Sequence, residues 1–345
     1  MMLQAVKRLS MVSSNNRTDQ AHGAERLKDN CMIVGAMCLS HSPLKDQNRP
    51  DTAVEAKFDA AVSKAAKLVA EQQPDITVIF YPDHINGFFY GLLPSFCIAM
   101  EATSIGDYGT AAGKLNVPEA RAADLARSAL NSGVDAAISY NMQVDHGAMQ
   151  PIEWLSAHYP LSRVIPIFVN CAAPPLPTFD RARALGRTVG TWARAVPERV
   201  LIVGSGGLSH DPPMADLATA PPEMRHRLIS GAPLDHSARF ARQSRARSEG
   251  NSMAAGISTL LRANPEWDRM LLNAFASGDL SVLDDWSDVA ISQTGGRGGH
   301  EARTWIAALS ALGNSYFSTE LYYAAIDEWI TGMGILWSTP TQMPE

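Results

Sequence analysis

Five short apolar runs, separated by helix-like stretches, constrain the fold of this chain more than any other feature. They are Met32–Leu39 (MIVGAMCL), Ile76–Tyr81 (ITVIFY), Val134–Tyr140 (VDAAISY), Val164–Val169 (VIPIFV) and Val200–Val203 (VLIV). Each has strand length, and each is rich in β-branched residues or bounded by turn residues. Between them lie Val54–Glu71, Pro118–Ser132, Pro151–His158 and Phe179–Ala195, all helix-compatible. In the first of these, Val54, Phe58, Ala61, Val62, Ala65, Leu68 and Val69 recur at three- and four-residue steps and make one apolar face. Near-continuous apolar runs belong to strands covered on both faces. The pattern predicts an α/β fold in which helices cover a central, largely parallel or mixed sheet.

From Pro221 to about Asp288, charged helix-compatible stretches replace the strands, with Trp267 and Trp286 as anchors. This segment is expected to lie over the same core, because no Gly/Ser linker or charge run marks a boundary. A single catalytic domain is expected over residues 32–337, followed by a tail at 338–345. Residues 1–31 are polar from Ser13 onward and carry no sustained periodicity. Lys7, Arg8 and Arg17 precede any acid, as in an organellar transit peptide, but a disordered extension or an over-long reading frame starting naturally at Met32 fits better.

Composition excludes several classes. With 46% hydrophobic and 19% charged residues the chain is not disordered as a whole. A net charge of -6 argues against nucleic acid as a partner. No apolar run approaches the roughly 18 residues of a membrane span. Four cysteines without a C-x-x-C pair suit neither a disulfide framework nor a thiolate zinc site. The expected setting is the cytoplasm.

The nine histidines carry the chemical information. His41, His84, His146 and His210 each fall a few residues beyond a predicted strand or, for His210, at the end of the turn Gly204–His210 (GSGGLSH). Ligands of α/β sheets bind in the crevice at the carboxyl ends of the strands, so parallel strands would bring these four imidazoles together. Asp83 and Asp145 precede His84 and His146, either to orient the imidazoles or to serve the turns. Other signatures are missing. His300–Glu301 begins like a zinc-protease motif, but position 304 is Thr, and the glycine turn lacks the residues of a phosphate loop. Gly295–Gly299 (GGRGG) reads as a flexible loop before a final helix. Two strand-end histidines plus a carboxylate from a distant element would form the facial triad of mononuclear non-heme Fe(II).

Cys38–Pro43 (CLSHSP), Pro82–Tyr90 (PDHINGFFY), Ile105–Gly109 (IGDYG), Val144–Gly147 (VDHG) and Gly204–His210 resemble, in kind and order, motifs of the class III extradiol catechol dioxygenases. The resemblance runs from about Met32 to Trp329. It implies an Fe(II) cofactor held by His41, His84 and Glu301, with His146 as proton donor and His210 as proton acceptor. It also implies O₂ and a catechol acid, 3-(2,3-dihydroxyphenyl)propionate or its propenoate analogue, as substrates. The product would be the ring-opened 2-hydroxy-6-oxo-nonadienedioate, or the trienedioate from the propenoate. A homo-oligomer, a tetramer in this branch, is implied as well. The substrate carboxylate needs a cation, for which Arg181, Arg183, Arg225, Arg227 and Arg303 are all candidates. A zinc hydrolase or lyase, or a non-catalytic metal-binding protein on the same fold, are the rival readings.

A chain beginning at Met32 is expected to bind iron and turn over like the full-length protein. Iron content and activity of the truncated protein check this, and loss of iron binding would contradict it.

Overall fold

Four of the five apolar runs become strands that are sealed on both faces. In the computed structural model, which describes residues 32–341, all residues of β1 (Ile33–Leu39) are buried. The chain continues through α1 (Thr52–Gln72), β2 (Ile76–Tyr81), β3 (Phe96–Ala99), β4 (Ala102–Ile105), β5 (Ala112–Lys114), α2 (Glu119–Asn131), β6 (Ala137–Ser139), β7 (Met142–Val144) and α3 (His146–Leu155). Then follow β8 (Val164–Val169), α4 (Phe179–Ala195), β9 (Val200–Ser205), α5 (Pro222–Ser230), α6 (His236–Ala254), α7 (Pro265–Ser277), α8 (Asp288–Thr294), α9 (Ala302–Ala311), β10 (Tyr316–Ile326) and β11 (Thr331–Pro340).

The main sheet has the order β10-β11-β1-β9-β2-β8-β3-β6. Its centre, β1-β9-β2-β8, is parallel throughout. Antiparallel pairing of β11 with β1 and of β3 with β8 makes the whole sheet mixed. A second sheet, β5-β4-β7, stands apart from it. Alternate residues of the central strands feed two cores. Val200 and Ile202 pack with Leu185, Val189 and Trp305 on one side, and Leu201 and Val203 with Phe58, Val69 and Leu155 on the other. This accounts for apolar runs without alternation.

The described residues from Met32 onward lie in one unit, and the helices between Pro222 and Thr294 belong to it. Residues 1–31, expected to be an extension, lie outside the described residues. Three expectations need correction. The run Val134–Tyr140 yields only the short β6, on the sheet margin with Ile138 exposed. The helix after the glycine loop is not the last element, since β10 and β11 follow it and extend the sheet beyond β1. Residues Ser338–Pro340, placed in the tail, are part of β11. Gly332 and Gly334 interrupt the apolar pattern of β11 because side chains press on them. A Cβ would lie 2.2 Å from Asp268 Oδ2 at Gly332 and 2.9 Å from Leu208 Cδ1 at Gly334.

Helix α4 meets α9 backbone to backbone. A Cβ on Gly190 would stand 2.1 Å from the Ala311 carbonyl oxygen, and one on Gly186 at 2.1 Å from that of Ala307. Gly190→Val is therefore expected to cost about 1–3 kcal/mol by overpacking. Urea unfolding should show a lowered midpoint. An unchanged midpoint would mean that the two helices separate freely.

Candidate active site

Three adjacent parallel strands set the site. β1, β9 and β2 end side by side, and the segments leaving them carry His41, His210 and His84. His146 arrives differently from the sequence expectation. It opens α3 directly after β7 of the small sheet, behind Asp145, which N-caps the helix by accepting the Gly147 N–H. Glu301 ends the 3₁₀ turn Arg297–Glu301, just before α9. All five side chains are buried.

Each histidine has its Nδ1 engaged away from the centre. The Ser205 hydroxyl donates to the Gly147 carbonyl, so its oxygen accepts from His41 Nδ1–H at 3.0 Å. His84 Nδ1 donates to Asp145 Oδ2 at 3.0 Å, and His146 Nδ1 to Asp107 Oδ2 at 2.6 Å. His210 Nδ1 donates to the Leu208 carbonyl at 3.0 Å. In the neutral rings every Nε2 is then a lone pair. The His41 and His84 Nε2 atoms lie 3.5 Å apart, and Glu301 Oε1 lies 3.5 Å from His84 Nε2 and 3.3 Å from His210 Nε2. The other Glu301 oxygen accepts the Gly207 N–H at 2.6 Å.

Two imidazole lone pairs and a carboxylate oxygen, with His84 Nε2 in reach of both others, make a donor set for a cation. Two histidines and one carboxylate are the donor set of non-heme Fe(II), and the residues fit that group. His146 also reaches this centre. Nitrogens of His41, His84 and His146 all lie within 4.8 Å of one another, with the His146 ring stacked on His84 at 4.3 Å. Burial pushes the His41 pKa down to about 3, against the pull of Glu301, so that ring is a neutral donor. Burial also opposes charge on His84 and His210. Asp145 and Glu301 nevertheless raise the first well above its ordinary value, and Glu301 raises the second. The same histidines, led by His210, hold the Glu301 carboxyl well below the usual range despite its burial.

The orienting residues were only partly foreseen. Asp145 orients His84 rather than its neighbour His146. Asp83 serves the turn instead, accepting the N–H groups of Asn86, Gly87 and Phe88. Asp107 and Ser205 carry no role in the sequence reading, although both lie inside the quoted motifs; Asp107 is 39 positions from the histidine it holds, and no local spacing rule spans that. The glycine stretches also acquire a different meaning. A Cβ on Gly207 would lie 2.3 Å from His210 Cε1, and one on Gly298 2.0 Å from His210 Nε2. Gly204–His210 and Gly295–Gly299 are thus two walls of a slot for one imidazole, and the second is a 3₁₀ turn pinned by Gly298 N–H to the His210 carbonyl at 2.8 Å.

The histidines open into a cavity lined also by Leu44, Tyr108, Pro212, Pro213, Met214 and Ile330. None of the five arginines considered from the sequence lines it; Arg242 and Arg245 do. Arg303, for example, is buried and bound to Asp288, His300 and the Pro177 carbonyl.

Residues 30–334 match the family model of the catalytic LigB subunit of aromatic ring-opening dioxygenase. The chain belongs to this family. It is an Fe(II)-dependent extradiol dioxygenase, as the motifs around its histidines imply, and not a hydrolase or a non-catalytic relative. Over 306 residues it is 46% identical to the 2,3-dihydroxyphenylpropionate/2,3-dihydroxicinnamic acid 1,2-dioxygenase of a Rhodococcus species, covering 88% of this chain and 98% of that one. A protein with the same name from Mycolicibacterium paratuberculosis is 44% identical over 311 residues, covering 90% and 100%. One from Rhodococcus jostii is 45% identical over 306 residues, covering 88% and 98%.

Gly298→Ala should push the His210 ring out of its slot. The expected outcome is a fall in catechol turnover of about tenfold or more at unchanged iron content, less than the roughly 10²–10⁴-fold typical of removing an acid–base group outright. Turnover equal to the parent would show that the slot is not required.

Proposed function

We propose that the protein cleaves 3-(2,3-dihydroxyphenyl)propionate and its propenoate analogue beside the diol, giving 2-hydroxy-6-oxo-nonadienedioate and the corresponding trienedioate in phenylpropanoid breakdown. The substrate names of the similar proteins support the substrate class. The observation that carries the site assignment is that His41 Nε2 and Glu301 Oε1 each lie 3.5 Å from His84 Nε2, in a pocket that also holds two further oriented imidazoles. The first three are the iron ligands in this reading. Fe(II) bound there supplies chelation of the catechol oxygens and activation of O₂.

The remaining chemistry belongs to the chain. His210, with Nδ1–H on the Leu208 carbonyl, presents Nε2 as the base for a catechol hydroxyl proton. His146 holds the proton that is delivered during ring opening, and the Asp107 carboxylate at its Nδ1 stabilises the imidazolium. Leu44, Pro212, Pro213, Met214 and Ile330 shield these transfers from bulk water. The reading places the enzyme in the cytoplasm as a homotetramer. Free thiols at Cys38, Cys97 and Cys171 accord with a reducing compartment. No helix among the described residues is long and apolar enough to cross a membrane.

The test is anaerobic loading with Fe(II), addition of the catechol acid in air, and observation of the yellow ring-fission product. Glu301→Ala should lose most of the bound iron. His146→Phe and His210→Phe should keep it and lose about 10²-fold or more in turnover. The parent pH–rate profile should be bell-shaped, with apparent pKa values that belong to the coupled pair. His210→Phe removes the acidic limb, because the base must be deprotonated; His146→Phe removes the basic limb, because the acid must be protonated. Iron retained by Glu301→Ala, or near-normal turnover in an iron-replete histidine variant, would remove that residue's assignment.

A further inference from the structure

The cavity holds two positively charged side chains that no acid neutralises. Arg242 and Arg245 lie three residues apart on α6, on one helix face, and both line the cavity. Arg297 and Arg303, by contrast, are paired with Asp211 and Asp288. Arg242 spends its donors on two neutral acceptors, the His84 carbonyl at 2.6 Å and Asn86 Oδ1 at 2.9 Å. Arg245 makes no hydrogen bond or ion pair with any described residue, and it is exposed at the mouth. The serine and threonine hydroxyls that line the cavity are committed: Ser42 and Thr331 both donate to the Trp329 carbonyl at 2.9 Å. Helix α6 carries Arg239, Arg242, Arg245 and Arg247 against one acid, Glu249, so its field at the mouth is positive.

We propose that Arg245 binds the side-chain carboxylate of the substrate and so selects catechol acids over neutral catechols, while Arg242 is a positioning residue that holds the loop of His84. This rests on the catechol-acid reading above. A guanidinium offers a carboxylate a two-pronged, charge-assisted contact, and Arg245 has its whole fork free for it. Arg242, with two donors already engaged, instead fixes the backbone on which His84 stands. The division explains why two adjacent arginines have such different surroundings.

The experiment compares kcat/KM for 3-(2,3-dihydroxyphenyl)propionate and for 3-propylcatechol, which has a similar chain without the charge, in Fe(II)-loaded enzymes. Arg245→Gln should lower the acid-to-neutral ratio by roughly 10- to 100-fold, mainly through KM for the acid, at parental iron content. Arg245→Lys should recover part of the ratio. Arg242→Gln should lower both catechols together and leave the ratio in place. A parental ratio in Arg245→Gln, or a ratio that shifts only in Arg242→Gln, would overturn the assignment. A parent that cleaves neither catechol would overturn the ring-cleavage reading itself, which separates the two failures.

Discussion

The Ser205 hydroxyl gives its proton to the Gly147 carbonyl and has only a lone pair left for His41. That single direction of donation fixes which nitrogen of His41 carries hydrogen, and so turns the bare Nε2 toward the centre. The same logic holds at Asp145, Asp107 and the Leu208 carbonyl, each of which can only accept from the Nδ1 it meets. Without these four outer partners the imidazoles could flip or exchange tautomers, and the centre would not be a set of converging lone pairs. Ser205 is the last residue of β9, and Gly147 lies in the first turn of α3. The bond therefore ties the sheet to the helix that carries His146.

Close packing around the rings is the second requirement. His210 sits where a methyl group on either Gly207 or Gly298 would collide with it, and Gly206 has the Cβ of Glu301 2.9 Å from where its own would be. Glycine is used here for clearance more than for flexibility. Gly296 combines both, with φ at 74° and the His210 carbonyl 2.2 Å from a hypothetical Cβ. The two glycine stretches, remote from each other in the chain, meet around His210, both at its ring and through its backbone N–H and carbonyl.

The central strands and the four converging histidines were legible in the sequence because they depend on local signals: apolar runs of strand length, and histidines just beyond them. β10 and β11 were not; in β11 the pattern is broken by Gly332 and Gly334, which accommodate Asp268 and Leu208, remote in sequence. The partner of His146 was equally hidden, because Asp107 comes from a turn between β4 and β5 of the small sheet that no periodicity announces. The arginines at the mouth escaped for another reason. Choosing among the chain's arginines requires knowing which are already paired, and those ion pairs join residues up to about a hundred positions apart, as Arg183 does with Asp284.

The outer partners also distinguish the roles proposed for the four rings. His41 and His210 lean on neutral oxygens, a hydroxyl and a carbonyl, whereas His84 and His146 lean on carboxylates. An anionic partner favours a ring that carries extra positive charge, either as an imidazolium or as a metal ligand that donates strongly. In the proposed assignment His84 uses Asp145 in the second way, while Asp107 orients the His146 ring. His210 also meets Glu301 at its Nε2, and that carboxylate raises its affinity for a proton, which suits the role proposed for it of taking a proton from the catechol. In the proposed assignment the two imidazoles move protons in opposite directions within one cavity, His146 held by Asp107 at Nδ1 and His210 held by the Leu208 carbonyl with Glu301 at its Nε2.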